Sequence, residues 1–531
     1  MKWNLREVDG TASEKQYKVG ILTGKLLALS NCDEAEVQEV LSGDMHLSYS
    51  RADCLIKACQ RIQLARERHE KVFVGGDYDA DGVCSTAIMK ATLDALHIPN
   101  GYYIPDRFKE GYGLSAATVE KAAAKGYTLI ITVDNGVKAH EALKKAQELG
   151  IDVIVSDHHT IDEEIEAEFV VHPDYMESEF AYLSGAGVAL EISRNLIGNR
   201  DDLNALAGVA AIGDVMPYHR ETRKLIKNAL SLLARQIPPS LSSLLAPGSQ
   251  VDETAVSFSI VPKLNSVGRM NDISNVNTVV RFLLSSSEKN IAAYRVQLER
   301  VNDARKAASE AMSKKAMGML DDEPMQILYD PDFYEGVCGL AAGRIANEIH
   351  KPVLVLSRNG NLIKGSGRSI PGFDMFSFFA DFDMLKAFGG HKMAVGLSIE
   401  EKDYEAFRTS VREKLKTYAY EEAEEEHTAI VISRQDVTFA NINNLNVLSP
   451  YPKDFAEPYF CVNDIDVFDK KETAKMIRYH IGNRAGGFDA VYYKRKGLDV
   501  PAEFAGLIGT LNINRWRERV TPQLVIEDFI R

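Results

Sequence analysis

Cysteine is scarce and poorly spaced for cross-linking. Cys32, Cys54, Cys59, Cys84, Cys338 and Cys461 include no C-x-x-C pair. That argues against a disulfide scaffold and a zinc ribbon, and it fits a reducing, cytoplasmic setting. No run approaches the roughly 18 apolar residues of a membrane-spanning helix. The opening MKWNLREVDGTASEKQ lacks the apolar core of a secretory signal. A G-x-x-x-x-G-K-[ST] phosphate loop is also missing. There is no internal repeat. The one biased tract is an acidic knot, Glu421, Glu422, Glu424, Glu425 and Glu426, which reads as a solvated linker or helix end. Collagen-like, coiled-coil, membrane and secreted classes are therefore not expected.

What remains is an ordinary folded composition, 45% hydrophobic and 26% charged. At 531 residues the chain has room for about three to four domains and several buried cores. Its net charge of −14 by itself disfavours a polyanionic partner. The distribution softens this, because residues 427–531 hold 14 Lys/Arg against 13 Asp/Glu and leave −15 to the rest.

Residues 1–70 read as a mostly polar, helical adjunct. From residue 71 short β-branched runs alternate with amphipathic stretches: KVFVG (71–75), LIITV (129–133) and DVIVS (152–156), separated by helical patterns. Gly126 and Gly150 follow helical stretches, where a left-handed residue is wanted. This alternation predicts a parallel α/β sheet over residues 71–284. Residues 285–320 predict one long connecting helix. Ser285 and Glu288 have capping-box spacing, and Ile291, Tyr294, Leu298 and Val301 recur at helical intervals. A smaller α/β domain follows over 321–426. Residues 427–531 carry short alternating strands and predict a small β-barrel or sandwich.

The acids fall where chemistry is expected. Strand 71–75 runs into GDYDADG, strand 129–133 into Asp134-Asn135-Gly136, and strand 152–156 into Asp157-His158-His159. Ligands of open parallel sheets bind at the carboxyl ends of strands. Five carboxylates and two imidazoles would thus meet in one crevice and repel each other unless a cation sat among them. An oxygen-rich set with some imidazole suits Mn²⁺ or Mg²⁺ better than Zn²⁺. Any one such Asp is more often a helix cap or turn residue. The EF-hand reading of DYDADG fails, since its twelfth position is Ile88. Three successive strand ends carrying acids favour a metal centre over the blander explanations.

DYDADG, VDNG and SDHH, in this order, resemble the DHH phosphoesterase superfamily. RFKEGYGLS, LSGAGVA, AAIGDVMP, KLNSVGRM and GLAAGRIA are similar to its bacterial single-strand exonuclease branch, the RecJ family. KGSGRSI and FGGHKMAVG resemble the DHHA1 domain that accompanies it, and INRWRERVTPQLVIEDF its oligonucleotide-binding barrel. Asp106, Gly367 and Val395 depart from the family pattern, which more often has Asn, Ala and Ala there.

The resemblance implies a 5′-to-3′ exonuclease of recombination and repair that hydrolyses single-stranded DNA to nucleoside 5′-monophosphates with two ions, Mn²⁺ or Mg²⁺. It implies metal ligation by Asp77, Asp79, Asp81, Asp134, His158 and Asp214, with Asp134 shared between the ions. His159 would contact the scissile phosphate, and the catalytic set would be His159, Asp134 and Asp77. The sequence does not separate direct ligands from their supports among Asp77, Asp79 and Asp81. Substrate contacts are expected from Arg107, Arg269, Ser366, Arg368, His391 and Trp516. Guanidinium groups bind phosphate oxygens in pairs, glycines let backbone amides approach, and aromatics among basic residues suit single strands. Arg344 is expected to be structural or a weaker contact. Among Tyr492 and Tyr493, strand alternation predicts one core and one surface residue. Two other readings compete: a DHH phosphodiesterase of short oligoribonucleotides or cyclic dinucleotides, and a non-enzymatic scaffold in a replication complex. The C-terminal segment argues against the first and the intact ligand set against the second. With no ATP-binding loop, unwinding would need a partner helicase, and a single-strand-binding protein is a further expected partner.

Overall fold

The computed structural model describes residues 2–30, 32–420, 426–451, 458–484, 486–494, 500–516 and 519–531, without the side chains of residues 515, 516 and 519. They fall into two compact units. One comprises Leu47–Met216 with Leu225–Glu424, the other Met1–His46 with Pro217–Lys224 and Glu425–Arg531.

In the first unit, uninterrupted Val/Ile runs make strands buried on both faces. Val72–Gly75 and Leu129–Val133 are wholly buried, and Asp152–Ser156 is buried after its first residue. With Asn100–Tyr103 and Phe169–Val171 they form a parallel sheet in the order 100–103, 72–75, 129–133, 152–156, 169–171. Helix Ala80–Ala95 is apolar nearly all round. It is buried from Ala80 to Leu93 except at Lys90, because helices Gly185–Ile197 and Asp201–Gly213 cover it. Gly126 and Gly150 take positive φ directly after helices Ala116–Ala124 and His140–Glu148, the left-handed exits their positions predicted.

The long helix runs from Glu288 to Met317, about 45 Å at 1.5 Å per residue. Ile291, Leu298 and Val301 are buried along it. Its cap is Ser287, which accepts from the Asn290 amide, and not Ser285 as the spacing suggested. The Ser285 amide still donates to the Phe282 carbonyl and so closes the preceding turn. A second sheet follows, ordered 387–391, 394–400, 362–368, 353–359, 326–329, with only its last pair parallel. Phe373, Phe378, Phe379 and Phe407 fill its core. Two departures from the family pattern face each other here, since Gly367 pairs with Val395 across the strands. A Cβ on Gly367 would stand 2.9 Å from a Val395 methyl and 2.4 Å from the Met375 sulfur. The larger Val395 thus fills space that a side chain at 367 would need.

The second unit is an eight-stranded mixed sheet, ordered 2–6, 426–432, 459–463, 506–516, 519–530, 486–493, 476–483, 467–472. Its core includes Phe460, Tyr479, Tyr492, Leu507 and Phe529, with Leu22, Leu26 and Leu27 of helix Ile21–Leu29. Residues 1–70 are therefore not one helical adjunct. Lys2–Arg6 is a strand parallel to Glu426–Ile432, and Trp3 Nε1 donates to Asp528 at 2.8 Å. Helix Asp53–Glu67 belongs to the first unit. Of the acidic knot, only Glu426 lies among the described residues.

Candidate metal centre and cleft

The first unit brings all the strand-end acids to one place, each held by different means. Asp79 caps helix Ala80–Ala95, its Oδ1 accepting from the amides of Asp81 (3.0 Å) and Gly82 (3.1 Å). Asp81 is almost sealed, at 2% exposure. Its carboxylate accepts from Ser184 Oγ at 3.0 Å, the Gly185 amide at 2.7 Å and the Ala186 amide at 2.8 Å, the start of helix Gly185–Ile197. Asp134 follows its strand at φ 61, an uncommon conformation for a residue with a side chain. Asn135 ties this turn down. It donates to the Gly75 and Val133 carbonyls at 3.1 and 2.9 Å and accepts from the Leu114 amide at 3.1 Å.

His158 Nε2 lies 3.3 Å from Asp134 Oδ1, 3.5 Å from Asp214 and 3.6 Å from Asp81. Among the described residues three groups of ligand atoms could each hold a cation: Asp77-Asp79-Asp134, Asp134-His158-His159 and Asp81-His158-Asp214. Asp77 Oδ1, Asp134 Oδ1 and His158 Nε2 are buried without a hydrogen-bond partner. Orphaned polar atoms are costly, and here they converge. Burial and then the neighbouring acids push Asp77 and Asp134 well above the usual carboxylate range. The same causes lift Asp214 to about 7. Burial pushes His158 down, against the pull of Asp81. This donor set fits an oxygen-preferring divalent ion.

Asp157 has a different place. Its carboxylate accepts from the amides of Val137, His158 and His159 and from His159 Nδ1 at 2.8 Å. With Nδ1 engaged, His159 keeps Nε2 for another partner. Burial opposes charge on His159, but Asp157 and the charges of Asp214 and Asp77 outweigh it and raise the pKa to about 9.

A cleft of about 890 Å³ opens beside His159, within the same unit. Arg107, Tyr112, His159, Lys364, Ser366 and His391 are among the residues that line it. Arg269 and Arg368 are not among its lining residues. They are nonetheless near Arg107, whose charge adds to burial in lowering the pKa of both, Arg269 to about 10. Among the described residues no carboxylate pairs with Arg107, Arg269 or Arg368. The Arg107 guanidinium lies over the Tyr78 ring at 4.8 Å. Asp106 caps a turn, accepting from the Phe108 amide at 2.9 Å. Arg344 is exposed. In the second unit Tyr492 is 2% and Tyr493 51% exposed. The side chain of Trp516, with Arg495 and Arg517 of its basic surroundings, lies outside the described residues. That unit also has a larger hollow, about 1300 Å³, lined by none of the expected site residues.

Sequence reading did not single out Asn135, Ser184, Tyr78, Tyr112, Asn265 or His172. Asn265 accepts from the Ala80 amide at 2.6 Å, and His172 hydrogen-bonds the His159 carbonyl at 2.9 Å. All but His172 lie in or beside motifs recognised as strings, but only their bonds to other motifs reveal their work.

Known proteins match the chain throughout. The DHH family N-terminal domain covers residues 71–213, the DHHA1 domain 322–417 and the RecJ OB domain 429–528. A single-stranded-DNA-specific exonuclease RecJ from Bacillus subtilis (strain 168) is 30% identical, the match covering 99% of this chain and 70% of that protein. The crystal structure of RecJ in complex with Mn²⁺ from Thermus thermophilus superposes with a TM-score of 0.85 at 23% identity, covering all of this chain and 79% of that one. A crystal structure of exonuclease RecJ bound to manganese gives a TM-score of 0.63 at 29% identity, over 70% of this chain and 97% of that one. The chain belongs to the RecJ family.

Proposed function

We propose that the chain is a metal-dependent 5′-to-3′ exonuclease that hydrolyses single-stranded DNA to nucleoside 5′-monophosphates in recombination and repair. The observation that carries this reading is the convergence of three orphaned buried atoms, Asp77 Oδ1, Asp134 Oδ1 and His158 Nε2, on strand ends beside a cleft. Asp77, Asp79, Asp134, His158 and Asp214 would hold two ions, Mn²⁺ or Mg²⁺. Asp134 would be the shared ligand: it and His158 each stand in two of the three candidate groups, but a carboxylate has two oxygens to share where His158 offers Nε2 alone. Asp81 would act from behind, because its oxygens already bind the start of helix Gly185–Ile197. Bound ions supply Lewis acidity, lowering the pKa of water and offsetting charge on phosphoryl oxygens.

The remaining work falls to side chains. Asp157 fixes His159 so that Nε2 can donate to a non-bridging oxygen of the scissile phosphate. Arg107, Arg269 and Arg368, which pair with no carboxylate among the described residues, would bind strand phosphates, and Ser366 and His391 of the cleft lining would hold the terminal nucleotide. Tyr493 and Trp516 of the second unit would stack bases. A helicase and a single-strand-binding protein would supply and protect the strand.

Incubation with Mn²⁺ and strands labelled at either end tests this reading. Release of 5′-mononucleotides from the 5′ end of DNA, with RNA and cyclic dinucleotides spared, is expected. Preference for short oligoribonucleotides would favour the phosphodiesterase reading, and inertness towards every substrate the scaffold reading.

A further inference from the structure

His159 is fixed at three points by its own neighbourhood: Asp157 takes its amide and Nδ1, and His172 bonds its carbonyl. None of these touches the face of the imidazole, so none stops the ring from tipping. The imidazole packs against its neighbour His158, 4.6 Å between ring centroids at 53°, and against Tyr112. The Tyr112 and His159 rings meet at 77° with centroids 5.9 Å apart, and the hydroxyl lies 3.4 Å from both ring nitrogens. Equal distances with near-perpendicular rings set the phenol edge against the imidazole face. The same hydroxyl donates to the Asp134 carbonyl at 3.0 Å.

The loop is built to put it there. Gly111 and Gly113 flank Tyr112 at φ +88 and +70, a conformation glycine adopts freely. A Cβ on Gly113 would stand 3.2 Å from Asn135 Oδ1, so the loop lies close against the Asp134 turn. Tyr78 packs edge-on against Tyr112, 6.4 Å between centroids, and carries the Arg107 guanidinium on its own ring. Tyr112 is half exposed and lines the cleft with His159.

We propose that Tyr112 is a positioning residue for His159: anchored on the Asp134 carbonyl, its hydroxyl holds the imidazole upright so that Nε2 meets the scissile phosphate. This rests on the exonuclease reading, but part of its test does not depend on activity. Tyr112→Phe keeps the ring and loses the anchor. With Mg²⁺ and 5′-phosphorylated single strands, kcat should fall about tenfold or more, the usual effect of losing such a support, with KM within about twofold of the parent. In a His159→Ala background the same change should cost nothing further in single-turnover assays. At fixed pH, the His159 resonance of protein carrying ¹³Cε1-labelled histidine should move or broaden in Tyr112→Phe while the other histidines stay in place. A raised KM, with the same loss in both backgrounds, would make the Tyr112 hydroxyl a direct contact to the strand and overturn the proposal. An unmoved His159 resonance would overturn it as well, even in a protein that degraded no DNA.

Discussion

Gly185 lies so close to Asp134 that a β-carbon on it would stand 2.6 Å from both the Asp134 Cβ and Oδ1, and 2.8 Å from its Cα. The neighbours are backbone and a short, buried side chain, so nothing nearby can swing aside. The first turn of helix Gly185–Ile197 meets the candidate metal centre at contact distance because residue 185 has no side chain. Gly185→Ala should therefore push the helix off Asp134 and loosen the bonds from Ser184, Gly185 and Ala186 to Asp81. We expect a destabilisation of about 1–3 kcal/mol, as for other overpacked sites, with activity falling further than stability alone explains. Urea unfolding beside a nuclease assay at a temperature where the variant is folded measures both. A variant with parental activity would show that the helix can retreat without disturbing the acids.

Asp134→Ala should abolish hydrolysis yet not weaken the metal-free fold. The acids repel one another when no cation is present, and burial adds to the cost of charging Asp134. In chelator the variant should unfold at the same or a higher urea concentration than the parent. Added Mn²⁺ should then stabilise the parent by RT ln(1 + [Mn²⁺]/Kd) and the variant much less. Equal stabilisation of the two proteins, or turnover near the parental rate at saturating Mn²⁺, would remove Asp134 from the ion site.

Much of this site is legible in the sequence because each acid sits on a local signal, a strand run ending in DYDADG, VDNG or SDHH. The division of labour among them is not. Asp81 and Asp77 look alike as letters. Only the fold reveals that Asp81 meets helix 185–197, more than 100 residues away, while one oxygen of Asp77 is left unpaired. The N-terminal segment fails for a related reason. Lys2–Arg6 is a strand because its partner lies at 426–432, and such pairing across more than 400 residues leaves no periodic trace in five residues. Ser287 instead of Ser285 as the cap of the long helix is a local miss, since both serines precede an apolar pattern and the preceding turn decides between them.

Alternation along strand 486–493 makes opposite demands on adjacent tyrosines. Tyr492 points into the core with Phe529, 5.5 Å between ring centroids, and Tyr493 points out. Tyr492→Ala should cost about 3–5 kcal/mol, as other large-to-small aromatic changes in cores do. Tyr493→Ala should leave the melting temperature near the parental value. If Tyr493 stacks a base, its loss should weaken binding to long strands by about 1–3 kcal/mol. Cleavage of very short oligonucleotides should be unchanged. Titrating each variant with long and short strands separates the roles. Unaltered long-strand affinity in Tyr493→Ala would take this face out of the binding surface.

Arg368 is the residue on which strand polarity is expected to turn. It ends strand Leu362–Arg368, donates to the Gly367 carbonyl at 2.8 Å, and has no carboxylate partner among the described residues. A Cβ on Gly339 would stand 3.1 Å from its Nη2, which sets the guanidinium beside the first turn of helix Cys338–Ile349, where amides and dipole also favour an anion. A terminal phosphate carries close to two charges near neutral pH, against one for an internal diester, so it gains more from this concentration of positive groups. Arg368→Ala should slow hydrolysis of 5′-phosphorylated strands by roughly 1.5–3 kcal/mol in kcat/KM, the range of charge-assisted phosphate contacts. Strands with a 5′-hydroxyl should lose less, so the difference between the two substrates narrows. Raised salt should narrow the difference less than the mutation does, because Arg368 is part-buried and such a contact is screened less than exposed phosphate contacts along the strand. Kinetics on a matched pair of oligonucleotides, at two salt concentrations, would decide it. Equal slowing of both strands would make Arg368 a general backbone contact and leave end recognition to Arg107 or Arg269.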